Sequence, residues 1–167
     1  MIITAADATS IRTRALRDAD TTGQPHSFDR YVIEAFESDG LLAVVEHNLA
    51  PRVLAAPLHR HSREDEYSLV MEGRLGVFED GAEVIVGPGE LVFKPRGRWH
   101  TFWNAGEGSL RILELITPAG LEQLFRELAT PEGEYDPETL PALAAEYGCE
   151  VDFEATMPLI ERYGLAF

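Results

Sequence analysis

The stretch PLHRHSREDEYSLVMEG, residues 57–73, sets His59 and His61 one residue apart and follows them with Glu64, Asp65 and Glu66. Side chains at i and i+2 of a β-strand share a face, so the two imidazoles project together about 6.5–7 Å apart along the chain. Such a pair can reach one metal ion, or it can be a polar strand edge. A third imidazole, His100, stands in the separate segment RWHTFWN. Of the five histidines, His26 and His47 remain. His47 sits in an apolar strand-like run, where a core histidine satisfied by a hydrogen bond is the expected reading and a pocket-lining one the alternative.

Positioning those residues falls to short strands. FDRYVIEAF, LLAVVEHNL, DEYSLVME, RLGVFE, AEVIVG, ELVFKP, RWHTFWN and SLRILELIT are rich in β-branched and aromatic residues, and SDG, GR, DG, GPG, PRG and NAGEGS cut them apart. Strands at such spacing predict an all-β antiparallel sandwich or small barrel over residues 28–117. EDGAE, with Asp80 and Gly81 at its tip, is the clearest hairpin. A strand starting near residue 66 puts Glu66, Ser68 and Val70 on one face, with Glu64 and Asp65 left as loop charges in water.

Beyond Thr117 the period changes. TPAGLEQLFRELA offers Thr117 as a cap and Pro118 as a first helical residue, with Leu121, Leu124, Phe125 and Leu128 along one stripe. The linker TPEGEYDPE then leads to a second helix near Leu140–Tyr147, stopped by Gly148. LAAEYG (143–148) and LIERYG (159–164) echo each other, which two helices with similar needs explain: a Tyr on the core and a Gly at the stop. Residues 118–167 are thus expected to form a helical extension, and residues 1–27 a segment packed on the barrel.

With 45% hydrophobic and 26% charged residues in 167, the chain has the balance of a soluble globular domain. Its formal charge of −15 repels phosphate backbones and anionic lipid, so neither nucleic acid nor membrane is an expected partner. Arg96 and Arg98 are candidates to offset that field within a pocket. The opening residues lack a signal-peptide pattern, and the single cysteine, Cys149, excludes an internal disulfide and suits a reducing cytoplasm.

The spacings resemble the two motifs of the cupin superfamily. The first, G-x5-H-x-H-x3-4-E-x6-G, is met by His59, His61, Glu66 and Gly73, and the second, G-x5-P-x-G-x2-H-x3-N, by Gly89, Pro95, Gly97, His100 and Asn104. The fifteen residues between Gly73 and Gly89 are similar to the short spacer of small single-domain microbial monocupins of the quercetinase-like type. One departure is Val53, which stands where the first motif opens with glycine and bears on the local turn.

The resemblance implies an antiparallel double-stranded β-helix, a jelly-roll barrel, holding one divalent transition metal (Fe, Mn, Ni, Co, Cu or Zn) on His59, His61, Glu66 and His100. Asp65 is the fallback acid. Three imidazoles and a carboxylate leave positions open, which implies chemistry or ligand binding rather than a closed structural site. The implied activity is that of an O2-dependent dioxygenase on an aromatic or enol small molecule, with Glu66 able to act also as a base. The alternatives are a non-redox cyclase or isomerase on a polyketide-like substrate and a non-catalytic ligand-binding protein. Phe78, Phe93, Trp99, Phe102 and Trp103 are expected in or near an apolar pocket. A homodimer is expected by analogy with the family alone.

Overall fold

A computed structural model describes residues 15–16, 19–24, 27–129 and 138–166. His26, most of the segment before residue 20 and residues 130–137 of the acidic linker lie outside the described residues. In chain order the strands are β1 (Asp20–Gln24), β2 (Ser27–Ile33), β3 (Ala43–Leu49), β4 (Leu58–His61), β5 (Asp65–Glu72), β6 (Leu75–Glu79), β7 (Ala82–Val86), β8 (Leu91–Lys94), β9 (His100–Asn104), β10 (Leu110–Thr117) and β11 (Cys149–Asp152). The helices are α1 (Glu122–Leu128), α2 (Leu140–Glu146) and α3 (Phe153–Tyr163).

Two antiparallel sheets face each other, one ordered β1-β2-β3-β10-β5-β8 and the other β11-β4-β9-β6-β7. The alternation in SLRILELIT is borne out: Leu110, Ile112, Glu114 and Ile116 are buried while their neighbours are half-buried. In β5, Glu66, Ser68 and Val70 point inward, as the parity predicts. Both tip residues of the β6–β7 hairpin have positive φ, Asp80 at 43° and Gly81 at 90°, the geometry a two-residue type I′ connection demands.

Two motif residues outside the ligand set have plain structural duties. Gly73 has φ 86°, and a Cβ there would stand 2.5 Å from the Ser109 carbonyl oxygen. The buried Asn104 side chain donates to the Leu49 and Gly108 carbonyls and accepts from the Gly106 N–H, closing the β9–β10 turn. Val53 is tolerated in place of glycine because the left-handed residue of its turn is Arg52, φ 60°.

The N-terminus of α1 differs from the expectation. Thr117 continues β10, opposite Asp65, and its hydroxyl donates to the Leu41 carbonyl instead of capping a helix. The Thr117–Pro118 peptide is cis, Gly120 follows with φ 132°, and α1 starts only at Glu122. The buried Glu122 carboxylate ties this turn together by accepting from the N–H groups of Gly120 and Ala35. Leu121 and Leu124 are buried in a core cluster with Tyr31, Val45 and Ile116, and Phe125 and Leu128 pack against it. α2 and α3 both end near glycines of positive φ, Gly148 (73°) and Gly164 (59°), and Tyr163 stacks on Trp103 at 4.8 Å.

The segment after residue 118 is not purely helical. β11 pairs with β4 in the register Cys149↔His61 and Val151↔His59, and the Thr156 hydroxyl on α3 accepts from the Leu58 N–H. The histidine-bearing strand is therefore enclosed by β9 on one side and β11 on the other.

Gly76 in β6 lies flat under Trp103, where a Cβ would fall 2.2 Å from the indole Cε2. The indole is fully buried with Leu54 and Leu165 and has no room to retreat. Gly76→Ala is expected to lose about 1–3 kcal/mol through overpacking, measurable as a lower urea midpoint at unchanged slope.

Candidate metal centre

The two sheets contribute unequally to one cluster. His59 and His61 come from β4 and His100 from β9, where His59 and His100 are register partners. Glu66 comes from β5 in the facing sheet, so the carboxylate meets the three imidazoles across the barrel interior. The turn between β8 and β9 is tied back to this point, for the Gly97 N–H donates to the His61 carbonyl at 2.7 Å.

All four side chains are buried, and one donor atom from each can be chosen so that all lie within 4.8 Å of one another. Ring centroids are 4.4 Å apart for His59–His100, 4.8 Å for His59–His61 and 5.2 Å for His61–His100. Two imidazoles are fixed by their other nitrogen: His59 Nδ1 bonds the Pro57 carbonyl at 2.7 Å and His100 Nδ1 the Arg98 carbonyl at 3.0 Å. Donating Nδ1–H in this way leaves Nε2 as the lone-pair donor, the usual support for a metal-binding histidine. His100 Nε2 lies 3.2 Å from Glu66 Oε2, and His61 Nε2 3.6 Å from the same oxygen. Both nitrogens of His61 are buried without a hydrogen-bond partner.

The electrostatics suit a cation. Burial opposes charging His61, but the Glu66 carboxylate beside it outweighs that and pushes the imidazole up to about 10. Burial, with the His100 and His61 rings, holds His59 well below the usual range. Burial also opposes charge on Glu66, yet Lys94 and His61 hold its carboxyl well below the ordinary carboxylate value. Three buried imidazoles, one of them orphaned, against one ionised carboxylate fit a divalent ion: bonds of about 2.0–2.2 Å need only a small contraction of the cluster.

Behind Glu66 lies an arrangement the sequence reading missed. Lys94, fully buried on β8, places Nζ 3.1 Å from Glu66 Oε2 and 3.1 Å from Glu114 Oε2, with the Phe102 ring 4.4 Å away. The Ser68 hydroxyl donates to Glu114 Oε2 at 2.7 Å. The signal was strand parity: Glu114 falls among Leu110, Ile112 and Ile116 on the inward face, and Lys94 is the register partner of Glu66.

Several expectations need correction. Glu64 is not a solvated loop charge but is 4% exposed, and burial pushes its carboxyl up. Asp65 opens β5 and accepts from Arg96, with Oδ2 2.7 Å from Nη2, which ties both to the outside of the cluster. Arg98 is likewise paired with Asp80, so neither arginine lines the interior cavity. Among the expected aromatics only Phe102 does. Phe93 is half exposed and stacks on Tyr67, Trp99 carries the Arg60 guanidinium, and Trp103 belongs to the core under Gly76.

That cavity, about 230 Å³, has the ligand candidates His59, His61 and Glu66 in its wall, whereas His100 does not line it. Its other walls are mainly apolar, from Phe28, Leu49 and Phe102 in the barrel and from Leu124, Phe125 and Leu140 of the helical segment. His47 also lines it, so the two readings of that residue both hold: its Nδ1 is 2.6 Å from Asp29 Oδ1, and its ring faces the cavity.

Residues 45–116 match the family model described as Cupin domain. Over 57 residues, 34% of this chain and 28% of the relative, the sequence is 40% identical to "Oxidoreductase iacF" of Pestalotiopsis fici. The match thus spans little more than a quarter of that protein. Among solved structures, KdgF from Halomonas sp. superposes with a TM-score of 0.59 at 17% identity, covering 68% of this chain and 99% of that one. The polyketide cyclase RemF from Streptomyces resistomycificus does so with a TM-score of 0.54 at 25% identity, covering 65% and 80%. The matched domain runs through the strands that carry all four clustered side chains, on a double-stranded β-helix shared with these structures, so residues 45–116 form a cupin domain.

Proposed function

We propose that the protein is a metal-dependent oxidoreductase of the dioxygenase type, acting on a small aromatic or enolic substrate. The observation that carries this reading is the position of the cavity: an apolar chamber of about 230 Å³ ends on His59, His61 and Glu66. The volume falls below the roughly 300–1,000 Å³ of sites for drug-sized ligands, which favours a small substrate. A divalent ion on three imidazoles and a carboxylate supplies a Lewis-acidic centre with positions left for further ligands. The chain's own part is to bury the substrate's ring against Phe28, Phe102 and Phe125, exclude bulk water and turn the oxygenated edge toward the ligand cluster. Both atoms of O2 enter the product of a dioxygenase and the substrate supplies the electrons, so no separate reductant is required. The segment of identity with a named oxidoreductase supports the redox reading.

The likeness to a polyketide cyclase favours a second reading, in which the same ligands hold a redox-inert ion for cyclisation or isomerisation. Metal analysis of untagged protein by mass spectrometry, followed by oxygen-electrode assays of the Fe(II)-loaded form with catechol and flavonol substrates, separates the two. Stoichiometric metal and substrate-dependent oxygen uptake are expected. Bound zinc without oxygen uptake in the iron form would transfer the assignment to the second reading, and absence of bound metal would sink both.

A further inference from the structure

The cavity has a second polar feature besides the ligand cluster. Asp29 on β2 and His47 on β3 are register partners, and both line the chamber. His47 Nδ1 and Asp29 Oδ1 are 2.6 Å apart, short enough to fix the ring and its tautomer with Nδ1–H donating to the carboxylate. Among the described residues Nε2 has no hydrogen-bond partner. The ring is wedged between Phe102 and Phe125, with centroids at 5.7 and 5.6 Å, and it is buried. A buried imidazole held by a carboxylate, with one nitrogen unsatisfied at the wall of an apolar chamber, is the arrangement of a general base oriented by a third group.

We propose that His47 is the residue that takes the hydroxyl proton of a phenolic or enolic substrate bound in this cavity, with Asp29 as its positioning residue. The substrate O–H bond breaks, the proton passes to His47 Nε2, and the electron pair stays on the substrate oxygen. Asp29 stabilises the imidazolium so formed. The assignment rests on the reading of the cavity as a substrate site, and it moves the base from Glu66 to His47. The geometry favours that move, because Glu66 Oε2 is already engaged by Lys94 and His100. The charged groups around His47 agree with it. Burial opposes the imidazolium, but Asp29, helped by Glu114 and opposed by Lys94, outweighs burial and raises the proton affinity of the ring.

The test uses 4-nitrocatechol, whose visible band reports its own ionisation, at a pH below the first ionisation of the free probe. Wild type, His47→Gln and Asp29→Asn are titrated both metal-free and zinc-loaded, with zinc content measured by mass spectrometry and folding by thermal melting. Wild type is expected to bind the probe in its ionised form even without metal. His47→Gln, whose amide still donates to Asp29, should lose about tenfold in the ratio of ionised to neutral metal-free bound probe, the equivalent of one pKa unit, at unchanged zinc content. Asp29→Asn should shift the pH midpoint of ionisation in the same direction, which a merely structural role would not do. Equal ionisation by wild type and His47→Gln would overturn the assignment while leaving the substrate class intact. Failure of wild type to bind the probe in either form would overturn the substrate class, and the assignment with it.

Discussion

Lys94→Met is expected to destabilise the protein by about 3–5 kcal/mol at neutral pH, the cost of breaking a buried ion pair by removing one partner. Lys94 is wholly enclosed and shares its charge between Glu66 and Glu114 at 3.1 Å each. Methionine matches its length but removes the cation that bridges the two buried carboxylates, and Glu114 Oε1 already lacks a partner. The sign of the pH dependence follows from the carboxylate. The folded pKa of Glu66 is depressed below its ordinary 4.5, so its stabilisation is present above that value and fades as pH falls toward the folded pKa. The variant lacks the share of this contribution that Lys94 supplies, so the gap between the two proteins should be widest near neutrality and narrow below pH 4.5. Chemical denaturation of both proteins at pH 7 and pH 4 measures it. A divalent ion on the cluster restores positive charge beside Glu66, so metal should raise the melting temperature of the variant more than that of wild type. Equal stability of the two metal-free proteins at pH 7 would show that the carboxylates do not need this lysine.

His61→Ala is expected to weaken metal binding by more than about 100-fold, beyond the 10–100-fold that loss of a supporting partner costs. Glu64→Ala, three residues away, should bind metal as wild type does. The contrast is sharp because both residues are buried, at 2% and 4% exposure, and both have an unpartnered polar atom. Only His61 belongs to the cluster of atoms that lie within 4.8 Å of one another. Mass spectrometry of the protein as purified, followed by competition against a chromophoric chelator, measures both. Equal metal loss in the two variants would show that the wrong acid has been placed in the cluster.

Much of the barrel was legible because its strands obey a period of two. The inward parity of Glu66, Ser68 and Val70 follows from the first residue of β5, and the Asp80–Gly81 tip from its turn chemistry. Glu64 shows the limit of that rule. It precedes β5, so strand parity says nothing of its direction, and an isolated acid in a charged run reads as solvated until tertiary packing covers it. Lys94 and Glu114 were overlooked for the opposite reason: parity places them inside, but a charge in an apolar alternation reads as an interruption until its partner across the sheet is known. β11 carries almost no local signal. CEVD is four residues with two acids, and its only reason to be a strand is the exposed edge of β4 about 90 residues earlier in the chain. Likewise Thr117 and Pro118 carry a sound helix-start signature, overridden by the pairing of Thr117 with Asp65.

The enclosure of β4 by β11 also sets an order of events during synthesis. His59 and His61 leave the ribosome long before Cys149 and Val151, so the strand that bears them first pairs only with β9. Until residues 149–156 arrive, one edge of β4 and the Leu58 N–H stay unpaired, and the cavity lacks the walls that Leu140, Cys149 and Val151 supply. Contacts of such long sequence separation form late. Metal acquired by the nascent chain would therefore meet an open, solvated set of imidazoles, and the chamber closes over it only when translation has reached α3.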